Sequence, residues 1–206
     1  AAPRREQTMN IIGICGRKSH GKDTVGEFLQ EVGWKPIAFA DPIKRICMDL
    51  YKFSYDQVYG HLKEEPDPRW DGLTPRHAMQ QLGTEVCRSV YADTWVRYCL
   101  DLIERASVGE EVVLHDARRR GFFPYKGASQ LWCVTDVRFP NEADTIRARG
   151  GQVIKVVRPS LEGTQGDGHV SETNIDRIDP DFLVLNDGTL EDLWEKVREL
   201  RGSLSR

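Results

Sequence analysis

Residues 16–24 read Gly-Arg-Lys-Ser-His-Gly-Lys-Asp-Thr, two glycines five apart with a lysine directly after the second. Residues of these types in this order can hold phosphate. The glycines let consecutive backbone N–H groups turn into one concavity, a helix N-terminus behind them adds partial positive charge, and the lysine reaches the outer phosphates. Gly16, Gly21 and Lys22 meet that requirement, and Arg17 and Lys18 add local charge. The position after the lysine ordinarily holds a Ser or Thr whose hydroxyl reaches a phosphate-bound Mg²⁺. Here it holds Asp23, and Thr24 follows one place late. A carboxylate there repels phosphate unless it faces outward or reaches a metal through water, although the first turn of a helix suits it. Thr24 still offers a hydroxyl. The plainer reading is a glycine-rich turn with no ligand. Against it stands the context, an apolar run before and helical periodicity after.

A second group of candidates lies far along the chain. Asp136 stands at the end of the apolar run 131–137, where parallel α/β sheets bind ligands, and suits the water shell of Mg²⁺. Arg138 follows two residues later and could face a transferring phosphoryl group. The structural alternative for Asp136 is to cap the helix beginning near Asn141, and Glu142 could satisfy backbone at that helix start. Arg76, Gln80, Thr84 and Arg88 recur at every fourth position. They form one polar stripe opposite Met79, Leu82 and Val86, able to grip a phosphate and a base edge, or simply a solvated face. Lys44 and Arg158 carry weaker signals. Trp70 and Trp95 could stack on a base, and Trp95 could equally be core. His169 reads as a hydrogen-bonding loop residue, and the basic cluster Arg118, Arg119, Arg120 and Lys126 as a solvated loop.

Strands and helices must bring these residues together. Residues 10–15 read as a buried strand, followed by a helix carrying Val25, Phe28, Leu29 and Val32. Residues 36–40 read as a second strand. Asp41 and Pro42 then cap a helix with Ile43, Ile46, Cys47 and Leu50 inward. Thr74 and Pro75 start a long helix after a loop over 60–73, and Asp93 caps another with Val96, Cys99, Leu100 and Ile103 inward. No main-sheet strand is read between 45 and 105, so that span forms an inserted helical region. Strands follow at 111–115, 131–137, 152–158 and 181–186, with helices at 141–149 and from Leu190 onward. The polar, glycine-rich 159–172 is a candidate lid loop. This alternation predicts an α/β fold, a mostly parallel sheet covered on both faces.

The 206 residues suit one domain spanning 9–206, with 1–8 read as a non-native or frayed extension before Met9. A net charge of −3 and a pI near 6.0 argue against nucleic acid as partner. Five scattered cysteines without a C-x-x-C pair point to reduced thiols and a cytoplasmic setting. No apolar run approaches the ~18 residues of a membrane span. The oligomeric state is open, a homodimer included.

In order along the chain, "GRKSHGKDT", "FADPIK", "MQQLGTEVCR" with "DTWV", "TDVRFPNEA", and "HVSE" ahead of "VLND" resemble the motifs of bacteriophage deoxynucleoside monophosphate kinases. The resemblance covers most of 10–200, and "GTE" with "DVRFPNE" is its most specific part. The segment 105–130 matches none of it. The late threonine of "GKDT" is also similar to small-molecule kinases of the adenylate-kinase type. The resemblance implies a P-loop NTPase-type three-layer fold with an inserted helical acceptor-binding region. It also implies transfer of the ATP γ-phosphate to a deoxynucleoside monophosphate, with Mg²⁺. On that reading Lys22, Arg138 and Asp136 are catalytic. ATP is held by Gly16, Arg17, Lys18, Gly21, Lys22, Asp23, Thr24 and Arg158. The acceptor is held by Lys44, Trp70, Arg76, Gln80, Thr84, Arg88 and Trp95, and the metal by Thr24, Asp136 and Asp23. Two alternatives stand beside it. One is a kinase of another small acceptor of the phosphomevalonate or dephospho-coenzyme A type, since "GKD" also occurs in phosphomevalonate kinases. The other is a nucleotide-sensing or nucleic-acid-binding module using the 118–126 loop.

Overall fold

The computed structural model describes residues 10–161 and 173–204. The 1–8 extension and most of the 159–172 loop, His169 included, lie outside the described residues. Five strands form one parallel sheet in the order β2-β5-β1-β6-β7. They are β1 (Asn10–Cys15), β2 (Lys35–Ile37), β5 (Leu131–Val137), β6 (Gln152–Val157) and β7 (Phe182–Leu185). Alternation along β1 sends Ile12 and Ile14 to one face and Ile11 to the other, because side chains on a strand point to opposite sides in turn. On the first face Val25, Phe28 and Leu29 of α1 (Lys22–Glu31) meet Leu193 and Val197 of α8 (Leu190–Leu204). On the second, Trp132, Val134 and Val153 pack with Ile146 of α7 (Pro140–Arg147) and Val96, Leu100 and Ile103 of α6 (Thr94–Ser107). Helix, sheet and helix make three layers.

Between β2 and α6 the chain is helical: α2 (Asp41–Leu50), α3 (Tyr55–Val58), a 3₁₀ turn at His61–Glu64, another at Pro68–Trp70, α4 (Pro75–Gln80) and α5 (Cys87–Val90). Thr74 caps α4 by accepting from the His77 N–H. The long helix expected from Thr74 is interrupted. Gln81–Val86 is a π segment, which shifts the side chains beyond it around the axis. Val86 and Val90 consequently stand exposed at 52% and 83%, not buried as 3.6-residue periodicity predicts. Ile46 and Leu50 of α2 are exposed too, while Ile43 and Cys47 are the apolar side chains of this helix that are buried.

The capping expectations for Asp41 and Asp93 are refined, and the alternative reading of Asp136 as a cap fails. Asp41 sits inside α2, accepting from the Ala38 N–H and the Tyr59 hydroxyl. Asp93 stands at the N-cap position of α6 as expected, but its side chain accepts from the Asn141 side chain and not from the helix. Asp136 does not cap α7, for reasons given below. The 105–130 segment holds a hairpin outside the main sheet, β3 (Val112–Asp116) antiparallel to β4 (Gly121–Tyr125). The solvated-loop reading of 118–126 missed β4. Among the described residues no helix is long and apolar enough to cross a membrane.

Candidate active site

The chain leaves central strand β1 into the 16–21 loop, which ends at the N-terminus of α1. Two glycines are dictated by space. A Cβ on Gly16 would lie 2.7 Å from the Val156 carbonyl oxygen, and Gly21 has φ +102° with Asn186 Nδ2 only 2.5 Å from where a Cβ would be. Asn186, just beyond β7, donates to the His20 carbonyl at 3.0 Å. Buried His20 accepts the Arg158 N–H on Nδ1 at 3.3 Å. The loop is therefore pinned to the ends of β6 and β7. His20 and Asn186 were missed as site residues. Asn186 lay within the "VLND" motif, and no spacing signal marks the histidine.

Two clefts flank this loop. The smaller, about 300 Å³, is lined by Ser19, Gly21, Lys22, Asp23, Thr24, Arg158, Asn186 and Gly188. The larger, about 550 Å³, opens between the sheet end and the helical region. Its walls carry seven cations, Lys18, Lys22, Lys44, Lys63, Arg76, Arg88 and Arg138, against three carboxylates, Asp23, Asp136 and Glu142. That excess, in a chain of net charge −3, suits a polyanion. Gln80, Thr84 and Trp95 also line it. Ser19, Lys22 and Asp23 line both clefts, so the loop stands at their junction.

Asp136 lies at the floor of the larger cleft. Its two oxygens accept the N–H groups of Phe39 at 2.7 Å and Ala40 at 2.9 Å. It thus fastens the turn between β2 and α2, an anchor that sequence spacing does not show. Burial raises its pKa against the pull of Lys44. Glu142 accepts the N–H groups of Arg138 at 2.8 Å and Phe139 at 3.1 Å, as the start of α7 requires. Burial pushes its carboxyl up to about 7.

The acceptor-side candidates differ in their surroundings. Arg88 donates to Glu142 and Asn141 and stacks 3.7 Å from the Phe139 ring centroid. Arg76 is paired with Glu64. Lys44 sits 4.1 Å from the Tyr59 ring centroid, and His115 of the hairpin stacks on that same ring at 4.0 Å. Trp95 is buried and donates to the Gly83 carbonyl of the π segment at 2.7 Å. Trp70 lines neither cleft: its indole N–H goes to the Tyr51 carbonyl and its ring packs edge-on against Tyr51. Arg17 also lines neither, being paired with Asp176 after β6. Lys18 lines the larger cleft, and Asp23 is 83% exposed.

A cationic cleft and a glycine loop, both at the carboxyl end of a parallel sheet, define the class: a P-loop phosphotransferase. The family model for deoxynucleotide monophosphate kinase matches residues 54–197. A protein of Acanthamoeba polyphaga mimivirus, named by inference a deoxynucleotide monophosphate kinase, is 33% identical over 92% of this chain and 94% of its own. The deoxynucleotide monophosphate kinase of Escherichia phage RB69 is 30% identical over 73% of this chain, and that of Enterobacteria phage T4 is 29% identical over 62%. The matches cover 54% and 45% of those two enzymes, so the chain spans about half the length of these phage relatives. The chain belongs to the deoxynucleotide monophosphate kinase family. Among solved structures, shikimate kinase from Aquifex aeolicus aligns at TM-score 0.46 and 12% identity over 94% of this chain and 97% of its own. Dephospho-CoA kinase from Campylobacter jejuni aligns at 0.46 and 17% over 95% and 97%. Both are too distant to bear on substrate.

Proposed function

We propose that this protein transfers the γ-phosphate of ATP to a deoxynucleoside 5′-monophosphate, yielding the diphosphate and ADP. The observation that carries the reading is the loop at the junction of two clefts, with Lys22 facing both. ATP enters by the smaller cleft, its phosphates on the 16–21 loop and Lys22, with Arg158 beside it. The monophosphate occupies the larger cleft among Lys44, Arg76, Gln80, Thr84 and Arg88. An acceptor phosphate oxygen attacks the γ-phosphorus in line as the bond to the β-phosphate oxygen breaks. No base is needed, because the attacking oxygen is already anionic. Catalysis is then positioning and charge neutralisation by Lys22 and Arg138.

The residues present fit Mg²⁺. Among the described residues no cluster of three or more His, Cys, Asp or Glu could cage a metal. Nucleotide-bound Mg²⁺ asks for less, one or two protein oxygens with phosphates and water supplying the rest. Thr24 would offer a hydroxyl, and Asp23 and Asp136 would act through water. When bound, the ion neutralises charge on the β- and γ-phosphates. Residues 9–206 act on this reading as one kinase domain, with 45–105 as the acceptor region and 159–172 as the lid that excludes water. The five cysteines are free, in keeping with a reducing compartment such as the cytoplasm.

The test is a panel: ATP, Mg²⁺ and each deoxy- and ribonucleoside monophosphate, with diphosphate as the readout. Phosphomevalonate and dephospho-coenzyme A belong in the same panel. Turnover of either, with every nucleotide inert, overturns the proposal.

A further inference from the structure

The hairpin β3–β4 stands outside the main sheet and carries His115 against the helical region. The half-buried imidazole lies parallel to the Tyr59 ring, with 4.0 Å between centroids and 3° between planes. Its Nε2 is 3.2 Å from the Tyr55 hydroxyl, and Tyr55 itself stacks on Tyr59 at 4.7 Å. Phe122, the cross-strand partner of His115 in β4, packs against the imidazole at 5.6 Å. Arg120 of the hairpin turn ties the same stack to α3. It pairs with Asp56 at 2.8 Å and lies 4.5 Å from the Tyr55 ring centroid.

Tyr59 is fixed at its hydroxyl as well. The hydroxyl donates to Asp41 at 2.8 Å, and Asp41 also holds the Ala38 N–H of the turn that Asp136 fastens. Lys44 rests on the ring so held, its ammonium 4.1 Å from the centroid. Lys44 lines the larger cleft, whereas Tyr59 and His115 do not. A lysine is a flexible chain, and in a wall shared with Lys22, Lys63 and Arg76 repulsion works against keeping it there. An aromatic face attracts the ammonium and gives it one place. The helix α3 is a single turn, too short to hold Tyr59 by itself, and the hairpin supplies the missing support. Burial lowers the His115 pKa and Lys44 adds to it, with Asp41 and Asp116 opposing. The imidazole is therefore neutral at pH 7 and sets no charge against the ammonium.

We propose that His115 is a positioning residue for the larger cleft: it braces the Tyr59 ring, Tyr59 holds Lys44 at the wall, and the hairpin is the outer support of the acceptor region. The inference rests on the acceptor reading of that cleft. It gives a role to the 105–130 segment, which the family resemblance leaves without one. Truncating His115 frees Lys44 and spares the donor side, because neither residue lines the smaller cleft.

The experiment is calorimetric titration of each of the four deoxynucleoside monophosphates into wild type, His115→Ala, Lys44→Ala and the double variant, with steady-state kinetics and thermal melts alongside. His115→Ala should weaken monophosphate binding about fivefold, the scale of one partly buried cation–π contact. The KM for the monophosphate should rise with it, while kcat and the KM for ATP stay within about twofold. His115→Phe, which keeps a flat neutral ring, should bind within about twofold of wild type. In the Lys44→Ala background, His115→Ala should change binding by less than about twofold, because the group it positions is gone. Equal losses in both backgrounds show that the histidine acts through the fold at large and overturn the assignment. Wild-type binding by His115→Ala or by Lys44→Ala overturns it and leaves the kinase reading intact. A matching rise in the KM for ATP overturns it too. If His115→Ala melts below the assay temperature, His115→Leu, which fills the space without the flat ring, is read by the same criteria. Coupled losses, with no turnover by wild type, support the brace and sink the kinase reading. Failure of wild type to bind any of the four overturns both.

Discussion

The Arg88 guanidinium stands 3.1 Å from the Glu142 carboxylate, and both side chains are largely shielded from water, at 12% and 5% exposure. Glu142 also holds the backbone N–H groups of Arg138 and Phe139, and the Phe139 ring centroid lies 3.7 Å from the guanidinium. The helix that carries the acceptor candidates is thereby joined to the strand end that carries Asp136 and Arg138. The candidate acceptor and phosphoryl-transfer groups are joined through these contacts.

This connection predicts a pH dependence. Burial raises the Glu142 pKa from 4.5 to about 7, although the Arg138 N–H and Arg88 pull it down. Between those two values the native protein holds a proton that the unfolded chain has released. The contribution is therefore complete below pH 4.5 and is lost as pH rises through about 7. Asp136, also raised, acts in the same sense. Thermal melts from pH 5 to 8 should show wild type losing Tm as pH rises. Glu142→Gln, which cannot ionise, should show a flatter slope. Parallel slopes in the two proteins would mean that Glu142 titrates as an exposed carboxylate does.

Strongly patterned elements were legible in the sequence. The apolar run 131–137 matches β5 residue for residue, because a strand buried on both faces leaves little room for polar side chains. The glycine loop was legible for a similar reason: Gly16 and Gly21 stand where nothing larger fits. The π segment was not, because Arg76, Gln80, Thr84 and Arg88 keep α-helical spacing through it. What marks it is tertiary, the approach of Gly83 to Ile43 and the indole N–H of Trp95 on the Gly83 carbonyl. Nor could spacing show that Trp70 and Arg17 face away from the clefts, since each is turned by a partner remote in sequence. Lys63 was hidden by a composition that reads as loop.

Lys22 is the cationic side chain that lines both clefts. Lys22→Ala should cut turnover ~100-fold or more, about 3 kcal/mol of transition-state stabilisation. Tm should barely move, because among the described residues its only ion pair is with exposed Asp23 at 3.9 Å. Turnover and melting temperature measured on one preparation decide this. Near-normal turnover in a folded variant shows that the loop is structural.

Asp136→Asn should act on two measurements. An amide offers only one acceptor oxygen to the N–H groups of Phe39 and Ala40, so one of them loses its partner at a cost of about 1–3 kcal/mol. Turnover should also need more Mg²⁺, if the carboxylate holds the ion's water shell. A fall in Tm with a wild-type Mg²⁺ titration would make Asp136 an anchor of the β2–α2 turn alone, with Asp23 next in line for the metal.

Trp95→Phe tests the π segment. Phenylalanine keeps most of the buried ring and removes the N–H that satisfies the Gly83 carbonyl at 2.7 Å. The expected loss is about 1–3 kcal/mol of stability. The KM for the monophosphate should rise along with it, since Gly83 and Thr84 line the larger cleft. Denaturant melts and acceptor kinetics measure the two effects. Lost stability with unchanged KM would separate the π segment from binding.

Arg76 and Arg88 should separate from one another. Arg76 is paired with Glu64, whose side chain is 61% exposed, a pair worth little to the fold. Arg76→Ala should therefore spare Tm and raise the acceptor KM about tenfold, the value of a hydrogen bond to a charged group. Arg88 is buried against Glu142, and truncation leaves that carboxylate without its countercharge. Arg88→Ala should cost about 3–5 kcal/mol of stability as well as acceptor affinity. The loss should be smaller below pH 7, where Glu142 can take a proton instead. Neither change should move the KM for ATP much, because neither arginine lines the smaller cleft. Kinetics with each substrate varied in turn, and melts at pH 6 and 8, provide the readings. If both variants raise the KM for ATP and spare that for the deoxynucleotide, the two clefts have been assigned the wrong way round.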